Sequence, residues 1–215
     1  MKEAKISVEL IDSMGDDLTV VNAARVSMQK HHDKFEDNDE SLINYLATNG
    51  HWSPFSHCIL QFRVKAPIFV ARQLFKHQVG LTVNEVSRRY VDSEPEFYIP
   101  ELRERAEDVK QGSSVLEIKH KHEMLAYLKT SVNIAVNTYI NLLQENVAPE
   151  VARAVLPQCM MTEWYWTGSL YAFSRVCNLR LEAHAQKESG IVAHKINLVL
   201  KEKFPISQRA LVKYE

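Results

Sequence analysis

The sequence predicts an α+β fold: a small early antiparallel sheet with long helices, in a single compact domain spanning residues 1–215. Three observations carry this. Residues 5–11 and 58–64 alternate apolar and polar side chains at the period of strands. From Ser114 to Glu145, Val115, Ile118, Leu125, Leu128, Val132, Val136, Tyr139 and Leu143 recur at helical spacing and form one broad apolar stripe. Residues 162–200 are again helix-rich, which puts the strands early and the helices late.

Taken in order, KISVELI at 5–11 reads as the first strand. Asp16 or Asp17 then caps a helix through LTVVNAARVSM. The polar run 29–40 reads as a surface loop, and SLINYLATN after it is a helix that stops at Gly50. HWSPFSH at 51–57 is rich in turn residues and carries two histidines. CILQFRV at 58–64 is a second strand, and Pro67 opens a helix over IFVARQLFKHQ that Gly80 breaks. NEVSRRYV is a short strand or an extended loop, and residues 92–113 run over the surface. After the long helix, Pro149 opens a shorter one over PEVARAVL, ended near Pro157. The helical stretch from Thr162 to Leu200 is expected to break near Gly168 and Gly190, with a last short helix over PISQRALVKYE. There is no internal repeat and no low-complexity tract.

Composition narrows the function classes. With 215 residues, 46% apolar and 25% charged, the chain is an ordinary globular one. Lys+Arg 26 against Asp+Glu 27 leaves a net charge of −1, so no bulk pull toward nucleic acid or a membrane surface exists. Any anion site must be local. Cys58, Cys159 and Cys177 are widely spaced and form no CxxC pair, which gives neither a disulfide framework nor a zinc ribbon. The first residues, MKEAKISVEL, lack the basic head and unbroken apolar run of a signal peptide. No window reaches the ~20 apolar residues of a membrane span. The expectation is a cytoplasmic protein. No Walker loop, GxGxxG, GxSxG or HExxH occurs, so the common nucleotide-binding folds gain no support.

Two polar clusters stand out. The first is Arg72-Gln73-x-x-Lys76-His77-Gln78 followed by Asn84-Glu85-x-Ser87-Arg88-Arg89-Tyr90. On a helix, Arg72 and Lys76 share a face, and Gln73 and His77 share the next one. An extended 84–90 would put Glu85, Ser87 and Arg89 on one side. Ser87 beside Arg89 would bind a phosphate through hydroxyl and guanidinium together. The same residues also read as a solvated helix end with ordinary ion pairs. The second cluster, Asn178-x-Arg180-x-Glu182-x-His184-x-Gln186, lies in an apolar helix near Trp164, Trp166, Tyr171 and Phe173. A half-buried guanidinium there needs an anionic or strongly polar partner, either a ligand or an internal carboxylate such as Glu182. His51 and His57, with Trp52 and Phe55, form an aromatic turn suited to a planar ring or to a simple capped turn. His32-Asp33 is too short a motif, in too polar a run, to indicate a metal, and no metal is expected.

The ordered set of motifs AARVS at 23–27, GHWSPFSH at 50–57, KAPIFVARQ at 65–73, NEVSRRY at 84–90, EFYIP at 96–100, EVARAVLP at 150–157 and NLRLEAHAQ at 178–186 resembles the flavin-dependent thymidylate synthases along nearly the whole chain. In that family's hallmark, two arginines flank a histidine, and a spacer leads to the serine of Asn-Glu-x-Ser-x-Arg-Tyr. Here it reads Lys76-His77-Gln78, with both flanking arginines changed and the 79–83 loop one residue longer. Lysine keeps a charge without the planar fork, and glutamine loses the charge.

The resemblance implies a homotetrameric methyltransferase of dTMP biosynthesis, with active sites shared between subunits. It implies FAD as cofactor, NADPH and methylenetetrahydrofolate as co-substrates, and dUMP as substrate. It places His51, Ser53, Lys76, His77, Gln78, Glu85, Ser169, Tyr171 and Arg175 at the flavin. Ser53 stands where the family has threonine, and Ser169, Tyr171 and Arg175 stand where it often has Asn, Arg and Asn. At dUMP it places Gln73, Lys76, Glu85, Val86, Ser87, Arg88, Arg89, Arg153 and Arg180. Arg180 matches the arginine that ionises the pyrimidine at N3, so Arg180 and Ser87 form the expected catalytic set, Ser87 holding the nucleotide rather than attacking it. No cysteine nucleophile is implied. The altered hallmark motivates one alternative, a relative that binds FAD and a pyrimidine nucleotide but transfers a different one-carbon group; another, from a different class, is a nucleotide- or flavin-binding protein without turnover.

Overall fold

The computed structural model describes residues 1–106 and 112–213. In chain order its elements are β1 (Lys2–Glu3), β2 (Ser7–Met14), α1 (Asp17–Arg25), α2 (Asp37–Thr48), β3 (Ile59–Pro67), α3 (Ile68–Leu74), β4 (Leu81–Glu85) and β5 (Glu96–Phe97). They continue with β6 (Arg103–Arg105), β7 (Ser113–Glu117), α4 (Lys121–Gln144), α5 (Pro149–Ala152), β8 (Met161–Ser169), α6 (Leu170–Arg180), α7 (Lys187–Lys203) and α8 (Pro205–Leu211). The α+β class is as expected. No helix among the described residues is long and apolar enough to cross a membrane.

By its internal contacts the chain forms two compact units. The first comprises Met1–Ile6, Lys65–Gln73 and Glu85–Trp164. Here β1 pairs in parallel with β5, and β6 pairs antiparallel with β7. The long helix α4 buries Val132 and Val136 against Phe97, Cys159 and Met160, with Ile68, Phe69, Ile140 and Leu156 packed around them. Burying such side chains contributes roughly 1.5–3 kcal/mol each. Glu96 joins Lys2 and Lys65, which ties the short first strand to its neighbours.

The second unit comprises Ser7–Val64, Leu74–Asn84 and Tyr165–Glu215. Its sheet has the order β2-β3-β8-β4. In β3, Leu60, Phe62 and Val64 alternate inward and are fully buried. Phe62 and Trp166 both meet the ring of Phe173 edge-on, at centroid distances of 4.9 and 5.3 Å. Helix α1 starts with a capping box, in which Asp16 accepts from the Thr19 N–H and Thr19 accepts from the Asp16 N–H. Asp17 is buried, and its two carboxylate oxygens accept from the Ile206 and Ser207 N–H groups, each at 2.9 Å, at the start of α8. Helix α2 starts earlier than its sequence suggests, because Glu36 and Asp39 form a second capping box.

Several elements differ from the sequence reading. Residues 161–169 form a strand, not the start of a helix, so the sheet is not confined to the early chain. Gly168 lies in that strand and Gly190 lies inside α7, which begins at Lys187. The actual break falls between Arg180 and Lys187. Pro67 ends β3 rather than opening a helix, and α3 stops at Leu74, well short of Gln78. The excursion after residue 92 carries β5, β6 and β7, so the long helix begins at Lys121 rather than at Ser114. Residues 107–111 of that excursion, the Val115 side chain and the final two residues of the expected last helix lie outside the described residues.

Candidate active site

The first polar cluster is shared between the two units: Lys76, His77 and Gln78 belong to the second, and Gln73 and residues 85–90 to the first. Leu74 is the last residue of α3 and is fully buried. Beyond it the chain leaves the helix: the His77 N–H donates to the Leu74 carbonyl at 3.0 Å, and the Leu81 N–H to the Gln78 carbonyl at 3.2 Å. Gly80 takes φ +77°, a left-handed conformation that costs most side chains strain. A Cβ there would also stand 3.1 Å from the Ala172 Cβ. Gly168 beneath it is tighter still, since a Cβ would fall 2.6 Å from the Gly80 carbonyl oxygen. Two glycines thus let the 76–81 turn lie directly on β8 and α6.

That turn and α6 enclose a cavity of about 310 Å³ in the second unit, lined by Lys76, His77, Gln78, Val79, Leu81, Ala172, Arg175, Leu179 and Arg180. Its electrostatics are set by one contact. The Arg180 Nε–H donates to His77 Nε2 at 3.1 Å. Because a guanidinium only donates, His77 Nε2 must be unprotonated and its proton must sit on Nδ1. Burial first, then the charges of Arg180 and Arg175, push the His77 pKa down to about 4. Burial also lowers the Arg180 pKa, yet a guanidinium stays charged at any pH of interest. The cavity therefore presents Lys76, Arg175 and Arg180 as cations around a neutral imidazole, with an apolar wall of Val79, Leu81, Ala172 and Leu179.

The other expected flavin residues of this unit lie outside that lining. Ser169 is buried, and its Oγ accepts from the Ala172 N–H at 3.1 Å, capping α6. The Tyr171 ring is tilted against Trp52, with centroids 6.2 Å apart. His51 meets Tyr45 edge-on at 5.7 Å. Ser53 precedes Pro54 at the head of a short 3-10 turn, Pro54–His57.

In the first unit the structure gathers most of the expected nucleotide residues. Strand pairing runs only to Glu85. The Val86 N–H then donates to the Glu163 carbonyl at 2.8 Å, and a turn closes from the Tyr90 N–H to the Ser87 carbonyl at 3.0 Å. The expected strand-like alternation of Glu85, Ser87 and Arg89 therefore gives way to a turn. In it the Ser87 Oγ accepts from the Arg89 main-chain N–H at 3.3 Å, a contact that orders the turn and does not involve the guanidinium. Arg88 reaches the Ser93 carbonyl. Arg89 Nε donates to Glu150 Oε2 at 3.2 Å, with its guanidinium 5.7 Å from the Tyr90 ring centroid. Arg153 Nε donates to the Glu150 carbonyl at 3.4 Å. Glu85 accepts from the buried Thr162 hydroxyl at 2.6 Å. Gln73 sits half-buried in the last turn of α3.

The second polar cluster divides as well. Helix α6 ends at Arg180, so Arg180 and His184 share no helix face. Asn178 is structural: it donates to the Leu211 carbonyl at 2.8 Å and accepts from the Lys213 N–H at 2.7 Å. His32 is held by Asp39, with Nδ1 2.9 Å from Oδ2. Among the described residues, no group of three or more His, Cys, Asp or Glu side chains is placed to hold a metal. All three cysteines are buried, and burial pushes the Cys58 and Cys177 thiols up to about 12 and raises Cys159 as well. None is a competent thiolate nucleophile at neutral pH. Sequence reasoning missed Glu150 and the apolar lining of the cavity. Glu150 stood in the EVARAVLP motif, but nothing in its spacing pointed to Arg89.

Comparison with known proteins gives a consistent result. The family model described as thymidylate synthase complementing protein (Thy1) matches residues 9–206. The flavin-dependent thymidylate synthase of Thermosipho africanus is 40% identical over 209 residues, covering 96% of this chain and 91% of that protein. The enzyme of the same name from Thermotoga neapolitana is 42% identical over 207 residues, covering 96% and 91%. Among solved structures, the UMP/dUMP methylase PolB of Streptomyces cacaoi, bound with 5-Br dUMP, matches with a TM-score of 0.88 at 32% identity, over 98% of this chain and 96% of that one. Fold, motifs and relatives agree that this chain belongs to the Thy1 family of flavin-dependent thymidylate synthases.

Proposed function

We propose that this protein catalyses the reductive methylation of dUMP to dTMP, with methylenetetrahydrofolate as one-carbon donor and FAD, reduced by NADPH, as hydride carrier. The observation that carries the reading is the charged Arg180 held against a neutral His77 in a cationic, half-apolar cavity. Methylation at C5 of uracil needs electron density pushed onto the ring. A guanidinium facing N3 and the adjacent carbonyls stabilises the negative charge that this creates. His77 fixes the plane of that guanidinium through Nε and, being neutral, does not cancel its effect. The buried, high-pKa cysteines fit a route that uses no thiolate.

The cavity suits part of FAD. Lys76, Arg175 and Gln78 offer donors to a phosphate or a ring carbonyl, and Val79, Leu81 and Leu179 offer an apolar face. When bound and reduced, FAD supplies hydride for the methyl group. A volume of about 310 Å³ holds one end of so large a cofactor and not the whole of it. In this reading the protein is a homotetramer whose subunits share active sites, with His51, Ser53, Glu85, Ser169 and Tyr171 contributing further flavin contacts. Ser87, Arg89 and Arg153 hold the phosphate of dUMP, assisted by Gln73, Lys76, Val86 and Arg88. The match over residues 9–206 draws on segments of both units, which supports treating residues 1–215 as one functional domain. The function fits a cytoplasmic enzyme of nucleotide biosynthesis.

The solved relative is named a methylase of UMP as well as dUMP, so a second reading gives this chain both substrates. The test is release of labelled hydrogen from C5 of the nucleotide, run with FAD, NADPH and methylenetetrahydrofolate, first on dUMP and then on UMP. The expected result is folate-dependent release from dUMP with the product mass of dTMP. A different product mass would indicate transfer of another one-carbon group. No release from either nucleotide, with FAD still bound, would overturn the reading.

A further inference from the structure

Glu150 stands between the two arginines expected at the nucleotide phosphate. Its carboxylate takes Arg89 Nε at 3.2 Å, and its own carbonyl takes Arg153 Nε at 3.4 Å. Both members of the ion pair are about half exposed, at 53% and 55%. An exposed pair of this kind is weak and easily exchanged. Glu150 is the second residue of α5, which starts at Pro149, so its backbone is fixed in a helical turn while its half-exposed carboxylate is held by Arg89. Arg89 is positioned from the other side as well, because its N–H is taken by the Ser87 hydroxyl.

We propose that Glu150 is a built-in stand-in for the phosphate of the nucleotide. Its carboxylate occupies Arg89 when the site is empty and is displaced when a phosphate monoester arrives. A phosphate dianion offers more charge and more acceptor oxygens than one carboxylate, so it wins Arg89 in a bidentate pair. Nucleotide binding then breaks one weak contact and leaves Glu150 as a like charge at the rim of the phosphate site. The carboxylate keeps Arg89 away from stray monoanions at the cost of some affinity for the true ligand. Glu150 acts through Arg89 and is a positioning residue, not a catalytic one. The inference rests on the nucleotide reading above.

The experiment is calorimetric titration of dUMP, and separately of deoxyuridine and inorganic phosphate, into the FAD-loaded protein and its Glu150→Gln variant. Glutamine keeps the size and removes the charge. The expected result is dUMP binding tightened two- to about fivefold, phosphate binding tightened in parallel, and deoxyuridine binding unchanged. In turnover the gain falls in KM. In an Arg89→Ala background the Glu150→Gln substitution should lose most of its effect on dUMP, keeping only the part that comes from the like charge at the rim. Equal or weaker dUMP binding by Glu150→Gln would overturn the inference while leaving the nucleotide reading intact. A wild-type protein that binds no dUMP would overturn both.

Discussion

Arg180 and His77 are 103 residues apart in sequence and meet through one hydrogen bond, 3.1 Å from Nε to Nε2. The contact fixes three things together: the tautomer of the imidazole, the plane of the guanidinium, and the neutrality of His77 beside two arginines. Each has a measurable consequence.

In the proposed function, Arg180→Ala removes the charge assigned to stabilising the ionised uracil. Turnover should fall by about 100-fold or more, while the flavin absorbance of the purified protein stays close to wild type. Steady-state kinetics at saturating dUMP check this. Unchanged turnover would remove Arg180 from the activating role.

His77 remains neutral in the folded protein down to a pH of about 4, whereas in the unfolded chain it takes a proton near its ordinary value of 6.5. Between those values the unfolded state binds more protons, so stability rises with pH there. The His77 contribution is complete above pH 6.5 and is lost as pH falls toward 4. Denaturant titrations across that window should show a flatter profile for His77→Gln than for wild type. Parallel profiles would mean that the imidazole is not held neutral.

Arg153→Ala should weaken nucleotide binding and leave the chemistry in place. Loss of one charge-assisted hydrogen bond to a phosphate is worth about 1.5–3 kcal/mol, or about a tenfold rise or more in KM for dUMP. A fall in kcat at constant KM would place Arg153 elsewhere in the mechanism.

Asp17 is a stability prediction free of the site. Its carboxylate satisfies two N–H groups at the start of α8 that would otherwise lack intrahelical partners. Asp17→Ala should cost about 1–3 kcal/mol, read as a lower denaturant midpoint at unchanged slope.

Asp39 makes a harsher case. It is fully buried and accepts from Arg25 at 2.7 Å, from His32 at 2.9 Å and from the Glu36 N–H at 2.9 Å. Burial alone would raise its pKa, but the Glu36 N–H, His32 and Arg25 together hold it below the ordinary carboxylate range. Asp39→Ala would strand a largely buried Arg25, a change that typically costs about 3–5 kcal/mol. A variant with wild-type melting behaviour would show the network to be dispensable.

The sequence made the polar side of the site legible and left its apolar side hidden. Lys76, His77, Gln78 and Arg180 stand out by their chemistry and Arg175 by the family resemblance alone, and all five line one cavity. Val79, Leu81, Ala172 and Leu179 complete it but look like any core residues, because an apolar wall has no signature of its own. Strand β8 was read as helix for a related reason. Its residues are buried at Met161, Thr162, Trp164, Trp166, Gly168 and Ser169, so inward positions run together at both ends and obscure the alternation. The helix breaks were misplaced because Gly168 and Gly190 serve close packing rather than termination: a Cβ on Gly190 would meet the Arg180 carbonyl at 3.2 Å.

Both units are assembled from three separated stretches of chain. On the ribosome, helices α1 and α2 emerge long before α6, α7 and α8, the partners against which their unit is packed. Residues 7–64 therefore wait through the synthesis of about a hundred intervening residues, with α1 able to pack on the 54–57 turn and on α2 but with the α8-facing side of α2 still uncovered. Until then that side of α2 is the kind of apolar surface through which incomplete chains associate. A product ending before Tyr165 would lack α6, α7 and α8 altogether and leave that surface without its partner.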